Sequence, residues 1–141
     1  MNTLNFLDAN VWLALIWSRH SHSKKAQEWF ARSAEEKFFY CRITQVTVLR
    51  LLTTSSVMGS DTRKMGEAWE IWDKVCDDER IAFLPEPESV EREFRRLSAL
   101  RTSSPKVWAD SYLLAFAGVA GLKLVTFDQG MKAKGPDALV L

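Results

Sequence analysis

Short apolar runs alternate along this chain with longer segments whose apolar residues recur every three or four positions. The runs are Leu4–Leu7, closed by Asp8; Phe38–Cys41; Ile81–Leu84, stopped by Pro85 and Pro87; Lys123–Phe127, closed by Asp128; and Ala138–Leu141 at the end. Runs of this length bounded by polar or turn residues read as buried strands. Between them, Val11–Ile16 reads as a helix, followed by a helix carrying Ala26, Trp29, Phe30 and Ala34. Thr44–Leu52 is a third, and Arg63–Val75, with Met65, Ala68, Trp69, Trp72 and Val75, is a fourth. Ser55–Thr62 is small and polar and reads as a loop. Another helix starts at Ser89 and turns Phe94 and Leu97 inward. The last runs over about 105–120, with Ser104 as N-cap, Pro105 at its first position and Gly121 as its stop. Strands alternating with helices predict an α/β fold: three layers, α/β/α, around a central mostly parallel sheet with right-handed crossovers.

That pattern gives the acids their meaning. In an open parallel sheet, ligands gather beyond the carboxyl ends of the strands. Asp8 and Asp128 each follow a strand, and Asp110 falls in the first two turns of the helix that leads back to the strand before Asp128. A helix rising ~1.5 Å per residue over this span crosses the sheet and returns its start to the same edge. Three carboxylates from distant parts of the chain then converge, repel and raise one another's pKa. A hard divalent cation, Mg²⁺ or Mn²⁺, resolves that conflict with oxygen ligands. Taken singly, each Asp is also explained as a helix cap or turn residue.

Composition adjusts the picture only slightly. With 141 residues, 47% hydrophobic and 26% charged, the chain fits one globular domain over 1–141 with a sizeable core. A net charge of +1 provides no general basic field, so any nucleic-acid contact rests on a local patch. The densest cationic cluster is Arg95, Arg96, Arg101 and Lys106, just ahead of Asp110; it is either a solvated face or a means of phosphate steering. Cys41 and Cys76 are too few for a disulfide framework, which favours a reduced, cytoplasmic setting. The first apolar run lacks a basic flank and is interrupted by Asp8 and Asn10, so neither a targeting peptide nor a membrane span is expected.

Several polar residues stay open. Gln45 and Thr47 lie in the first turns of a helix that begins at the acidic edge, and read either as wall residues of the site or, with Thr44 capping, as solvated positions. His20 and His22, two residues apart in a polar link, read either as metal ligands or proton carriers or as link residues, i and i+2 being poor ligand geometry without partners. Trp12, Trp17, Trp69 and Trp72 exceed what one small core needs, and some of that surface is free to meet a protein partner.

Leu7-Asp8-Ala9-Asn10, Trp108-Ala109-Asp110-Ser111-Tyr112-Leu113-Leu114-Ala115 and Leu124-Val125-Thr126-Phe127-Asp128-Gln129-Gly130, in this order and spacing, resemble PIN domains, and within them the VapC toxins of bacterial toxin–antitoxin pairs. The resemblance spans nearly the whole chain. It implies a Mg²⁺- or Mn²⁺-dependent ribonuclease, commonly dimeric and silenced by a cognate antitoxin, with Asp8, Asp110 and Asp128 at the family's acidic positions. Asn10 and Thr126 match polar positions that orient a carboxylate or a water. The departure is the family's second acid, a Glu in the helix after the second strand. Ile43–Leu49 holds no carboxylate, and Thr47 is nearest the expected place.

Acids around a divalent ion suit phosphodiester hydrolysis on chemical grounds alone. A phosphotransfer receiver would need a central-strand Asp and a late Lys that Leu84-Pro85 and Thr126-Phe127-Asp128 do not supply. A dehalogenase-like phosphatase would need an Asp where Asn10 stands. The remaining alternative is a PIN-like module that binds protein or RNA without cutting it.

Overall fold

The computed structural model describes residues 3–135 and 138–141. Its sheet is built from β1 (Leu4–Leu7), β2 (Lys37–Tyr40), β3 (Ile81–Phe83), β4 (Lys123–Thr126) and β5 (Leu139–Val140), all parallel, in the order β3-β2-β1-β4-β5. Every apolar run contributes a strand. The helices are α1 (Ala9–Ile16), α2 (Ser23–Arg32), α3 (Arg42–Leu52), α4 (Ser55–Met58), α5 (Met65–Val75), α6 (Val90–Ser98), α7 (Val107–Ala120) and α8 (Gln129–Lys134).

Side-chain alternation along the strands divides the core in two. Leu7, Phe38 and Val125 point to one face and pack with Val11, Trp12, Val48, Leu52, Ala68 and Trp72. Phe6 and Leu124 point to the other, against Leu113, Phe116, Ala117 and Met131. Successive residues on opposite faces are what a pleated strand dictates, and both faces are covered, as all-parallel sheets require. The result is the three-layer α/β/α arrangement. Phe6 stacks on Phe116 with centroids 4.7 Å apart, while Trp12, Trp72 and Tyr40 meet edge to face at 4.8–6.3 Å. Truncating either buried tryptophan costs about 3–5 kcal/mol.

The structure adjusts several expectations. Ser55–Met58 is a short helix continued by a 3₁₀ turn over Gly59–Asp61, not an open loop. Helix α3 starts at Arg42, two residues ahead of Thr44, so Thr44 lies inside the helix instead of capping it. Helix α7 starts at Val107 with Lys106 in the N-cap position, because Ser104 and Pro105 form the preceding turn. Its end is as expected: Gly121 takes φ +70°, a left-handed conformation that glycine adopts without a Cβ penalty. Ala34 and Met65 are solvent-facing, Met65 at 73% exposure: Ala34 lies in the turn beyond the end of α2 at Arg32, and Met65 is the first residue of α5, outside the stripe of Ala68 and Trp72. Of the four tryptophans considered as partner surface, Trp12 and Trp72 are core residues, and Trp17 donates to Asp61 at 2.8 Å. Trp69 remains exposed. Among the described residues no helix is long and apolar enough to cross a membrane.

The strand order positions the site. From β1 the chain adds β2 and β3 on one side, then returns to add β4 and β5 on the other. The crevice between β1 and β4, at their carboxyl ends, is therefore a topological switch point, where open α/β sheets bind ligands.

Candidate active site

Asp8 stands at that crevice. Its backbone N–H donates to the Val125 carbonyl at 2.9 Å, extending the β1–β4 ladder by one step, and its own carbonyl accepts from Val11 and Trp12 to begin α1. The same register brings Thr126 alongside Asp8, and the Thr126 hydroxyl donates to Asp8 Oδ2 at 3.1 Å. Asp8 occupies the N-cap position of α1, yet its side chain caps nothing. A carboxylate held by a neighbouring strand, instead of by its own helix, is directed at the crevice.

Asp110 lies in the first turn of α7, half-buried, also without a capping role. Asp128 follows β4 and caps α8, its Oδ1 accepting the Gly130 N–H at 2.8 Å. The capping explanation thus holds for one oxygen of Asp128 and fails for the other two acids.

Asp8 and Asp110 each feel burial and a neighbouring acid. Burial pushes the Asp8 carboxyl above the ordinary carboxylate value, and the negative fields of Asp110 and Asp128 add to it, while the Thr126 hydroxyl and the Ala9 N–H oppose. Asp110 is raised by burial and then by Asp128, with Lys134 opposing. Buried carboxyls raised by neighbouring acids are the electrostatics that a bound cation would relieve. As donors, three carboxylates joined by hydroxyl and amide oxygens fit a hard divalent ion. They do not form a closed cage: among the described residues no group of three His, Cys, Asp or Glu side chains is arranged to hold a metal ion alone. An ion that keeps several waters, as Mg²⁺ does, suits such a partial set.

The remaining candidates divide. Asn10, exposed on the first turn of α1, shares an open concavity with Asp128. Thr126 is fully buried. On α3 the buried face carries Thr44, Gln45, Val48 and Leu52. Gln45 is therefore the inward residue, and Arg42 donates to its side-chain oxygen. Thr47 lies off that face and donates to the Ile43 carbonyl at 2.8 Å. Of the basic cluster, Arg95 pairs with Glu91 and Arg96 with Glu93 on the surface of α6. These two guanidiniums are neutralised locally, whereas Arg101 and Lys106 are exposed without an ion-pair partner among the described residues.

Sequence reasoning left three features unplaced. Lys134, on a helix too short to show periodicity, acts electrostatically on Asp110. Asp128-Gln129-Gly130 with Lys132 and Lys134 downstream is nonetheless an N-cap and C-terminal charge signature. Trp108, 60% exposed and two residues before Asp110 on α7, meets Phe94 edge to face at 6.1 Å. Both histidines also reach the site, packing on Phe127.

The PIN domain family model matches residues 6–135. This chain belongs to the PIN-domain family. It is 38% identical over 133 residues to Ribonuclease VapC41 of Mycobacterium tuberculosis, covering 91% of each protein, and 29% identical to Ribonuclease VapC38 of the same organism, covering 89% of this chain and 85% of that one. Within the PIN family it is therefore of the VapC type. Solved structures agree in fold. A DNA-bound VapBC from Salmonella typhimurium superposes with a TM-score of 0.67 at 16% identity, over 100% of this chain and 98% of that one. VapC20 of M. tuberculosis, described as a sarcin-ricin-loop-cleaving toxin, gives 0.64 at 14% identity, over 93% and 95%.

Proposed function

We propose that this PIN-family chain is a divalent-metal-dependent endoribonuclease that hydrolyses RNA phosphodiester bonds, the toxin of a type II toxin–antitoxin pair, in one PIN-like unit over residues 1–141. The observation that carries the reading is the gathering of Asp8, held by Thr126, with Asp110 and Asp128 at the β1–β4 switch point, where burial and neighbouring acids raise the Asp8 and Asp110 carboxyls. Its relatives being ribonucleases supports the substrate class.

Asp8 and Asp110 would hold Mg²⁺ or Mn²⁺, with Asp128 completing the set through the oxygen not engaged by Gly130. When bound, such an ion lowers the pKa of water and neutralises the charge that develops at phosphorus and on the leaving oxygen. The chain's own residues do the rest. Thr126 keeps Asp8 oriented, as partners behind a ligand do. Asn10 offers a donor and an acceptor beside Asp128. Gln45, not an acid, faces inward from α3, so the site carries one negative charge fewer than the family pattern. Arg101 and Lys106, without an ion-pair partner among the described residues, are cations ahead of α7 for the phosphate backbone. Arg95 and Arg96 are left a lesser role by their glutamate partners.

We assign the antitoxin as the inhibitory partner, on the strength of VapBC assemblies among the structural neighbours. We assign a second copy of the chain to the apolar strip of exposed Val46, Met65 and Trp69 with half-buried Leu49 between α3 and α5, where Arg50 is the only charged lining residue among the described residues. Carbon-rich surface with so little charge is the composition of permanent interfaces. The cytoplasm suits two free thiols, Cys41 and Cys76.

The experiment is RNA cleavage with Mn²⁺ or with EDTA, for the wild type and Asp110→Asn. Cleavage that needs the ion and is lost in a variant of unchanged far-UV circular dichroism supports the reading. Absence of ion-dependent cleavage by the wild type overturns it. That result would favour the binding module, to which the acid-free inner face of α3 already lends weight.

A further inference from the structure

The link between α1 and α2 folds back on the acid site. His22 stacks on Phe127 with centroids 4.5 Å apart and planes at 28°, and His20 lies over the same ring at 6.0 Å and 27°. His20 is fixed from two further sides: its Nδ1 accepts the His22 backbone N–H at 3.0 Å, and Trp17 meets it edge to face at 6.2 Å. All three rings are half-buried. With Asn10 and Asp128 they line an open concavity of about 360 Å³. Phe127 lies between Thr126, which holds Asp8, and Asp128, so the wall and the acids share one tripeptide.

We propose that His20, His22 and Phe127 form a stacking subsite for one unpaired nucleobase of the RNA, next to the phosphate presented to the acids. This rests on the nuclease reading and adds to it where the strand lies. An ion at the acids has no use for an aromatic wall. An unpaired base has, because proteins that bind single-stranded RNA lay splayed bases on aromatic rings, histidine included. The concavity has room for a base with its ribose. Asn10 presents an amide donor and acceptor at its rim, the chemistry that reads a base edge. The rings are held in place before any ligand arrives, which reduces the ordering cost of binding.

The chain's two histidines are both in this wall, so their imidazole Cε1–H resonances report on it alone. The experiment titrates full-length protein, in EDTA, with a tetraribonucleotide and with the same tetramer lacking one base. Ring-current shifts of both resonances with the intact tetramer, absent with the abasic one, are expected. In anisotropy with a labelled single strand, His22→Ala should weaken binding about 5- to 100-fold, and His22→Phe, which keeps the flat ring, should restore it. Equal shifts with the abasic tetramer overturn stacking in favour of backbone contact, and His22→Phe as weak as His22→Ala overturns it as well. Unmoved resonances in a protein that cleaves RNA with Mn²⁺ overturn the subsite and leave the nuclease standing. A wild type that neither binds nor cleaves overturns both.

Discussion

The buried hydroxyl of Thr126 donates to the carboxylate of Asp8 at 3.1 Å, and the same oxygen accepts the backbone N–H of Asp128, also at 3.1 Å. One side chain at the end of β4 thus orients the acid that follows β1 and anchors the loop that carries the acid after β4. The arrangement follows from register: Leu7 pairs with Val125, so the next residues on each strand meet at the switch point.

Thr126→Val keeps the shape and removes the hydroxyl. Asp8 loses an interaction that stabilises its ionised form, and the Asp128 N–H loses its acceptor, costing about 1–3 kcal/mol of stability. Mn²⁺ affinity should fall roughly 10- to 100-fold, the usual effect of deleting a group behind a metal ligand. Thr126→Ser should retain most of both. Titration calorimetry with Mn²⁺ and thermal melts on the three proteins check this; full Mn²⁺ affinity in Thr126→Val would show that Asp8 needs no orienting partner.

The raised acids give a pH dependence of definite sign. Asp8 and Asp110 bind protons more tightly folded than unfolded, so the native state holds more protons between the ordinary carboxylate value and the raised one. Across that window stability falls as pH rises, and the loss is complete above the folded value. Asp78 works oppositely: its hydrogen bonds to Arg80 hold it down, giving stability that is lost as pH falls. His20, lowered by burial and by His22, adds stability as pH rises through its own range. Comparing variants cancels both. The metal-free Tm of Asp8→Asn and of Asp110→Asn should exceed the wild type's at pH 7, by about 2–4 °C per kcal/mol relieved, and the gap should close towards pH 4. Millimolar Mn²⁺ should raise the wild-type Tm and leave Asp8→Asn almost unmoved. A gap that does not change with pH would mean that the acids do not strain the fold.

Trp69 tests self-association. Its side chain is 48% exposed beside the exposed Val46 and Met65 and is not a core residue, so Trp69→Glu should alter monomer stability by no more than about 0.5 kcal/mol. Light scattering should show the wild type as a dimer and the variant near 16.1 kDa. A wild type that is monomeric at high micromolar concentration removes the second copy from that strip.

The strands were legible because each is a short apolar run ending at a turn or an acid; Asp8 and Asp128 followed from where those runs stop, and Asp110 from the start of the helix that leads back to the sheet. Less legible was what depends on rotation and packing. The start of α3 is two residues earlier than Thr44 suggested, which is enough to bring Gln45 to the inner face and leave Thr47 outside it. Glu91 with Arg95 and Glu93 with Arg96 have helical pairing distances, so their neutralisation was readable from spacing. The histidines carry no such signal: their link has no periodicity, and only the fold of α1 onto α2 brings them to Phe127.

The missing acid yields a prediction that depends on that rotation. Gln45 is buried on α3 and accepts from Arg42, while the Thr47 hydroxyl is engaged by its own helix. Gln45→Glu therefore puts an anionic oxygen on the inward face, with Arg42 at hand to offset its desolvation. It should tighten Mn²⁺ binding and raise RNA cleavage, because a hard ion gains most from an added carboxylate. Thr47→Glu places its charge off that face and should leave Mn²⁺ affinity within about twofold of the wild type, surface substitutions being mostly mild. Calorimetric Mn²⁺ titrations of the three proteins distinguish the positions. Tighter binding in Thr47→Glu with none in Gln45→Glu would mean that the family's acid belongs at 47 and that α3 turns its other face to the ion.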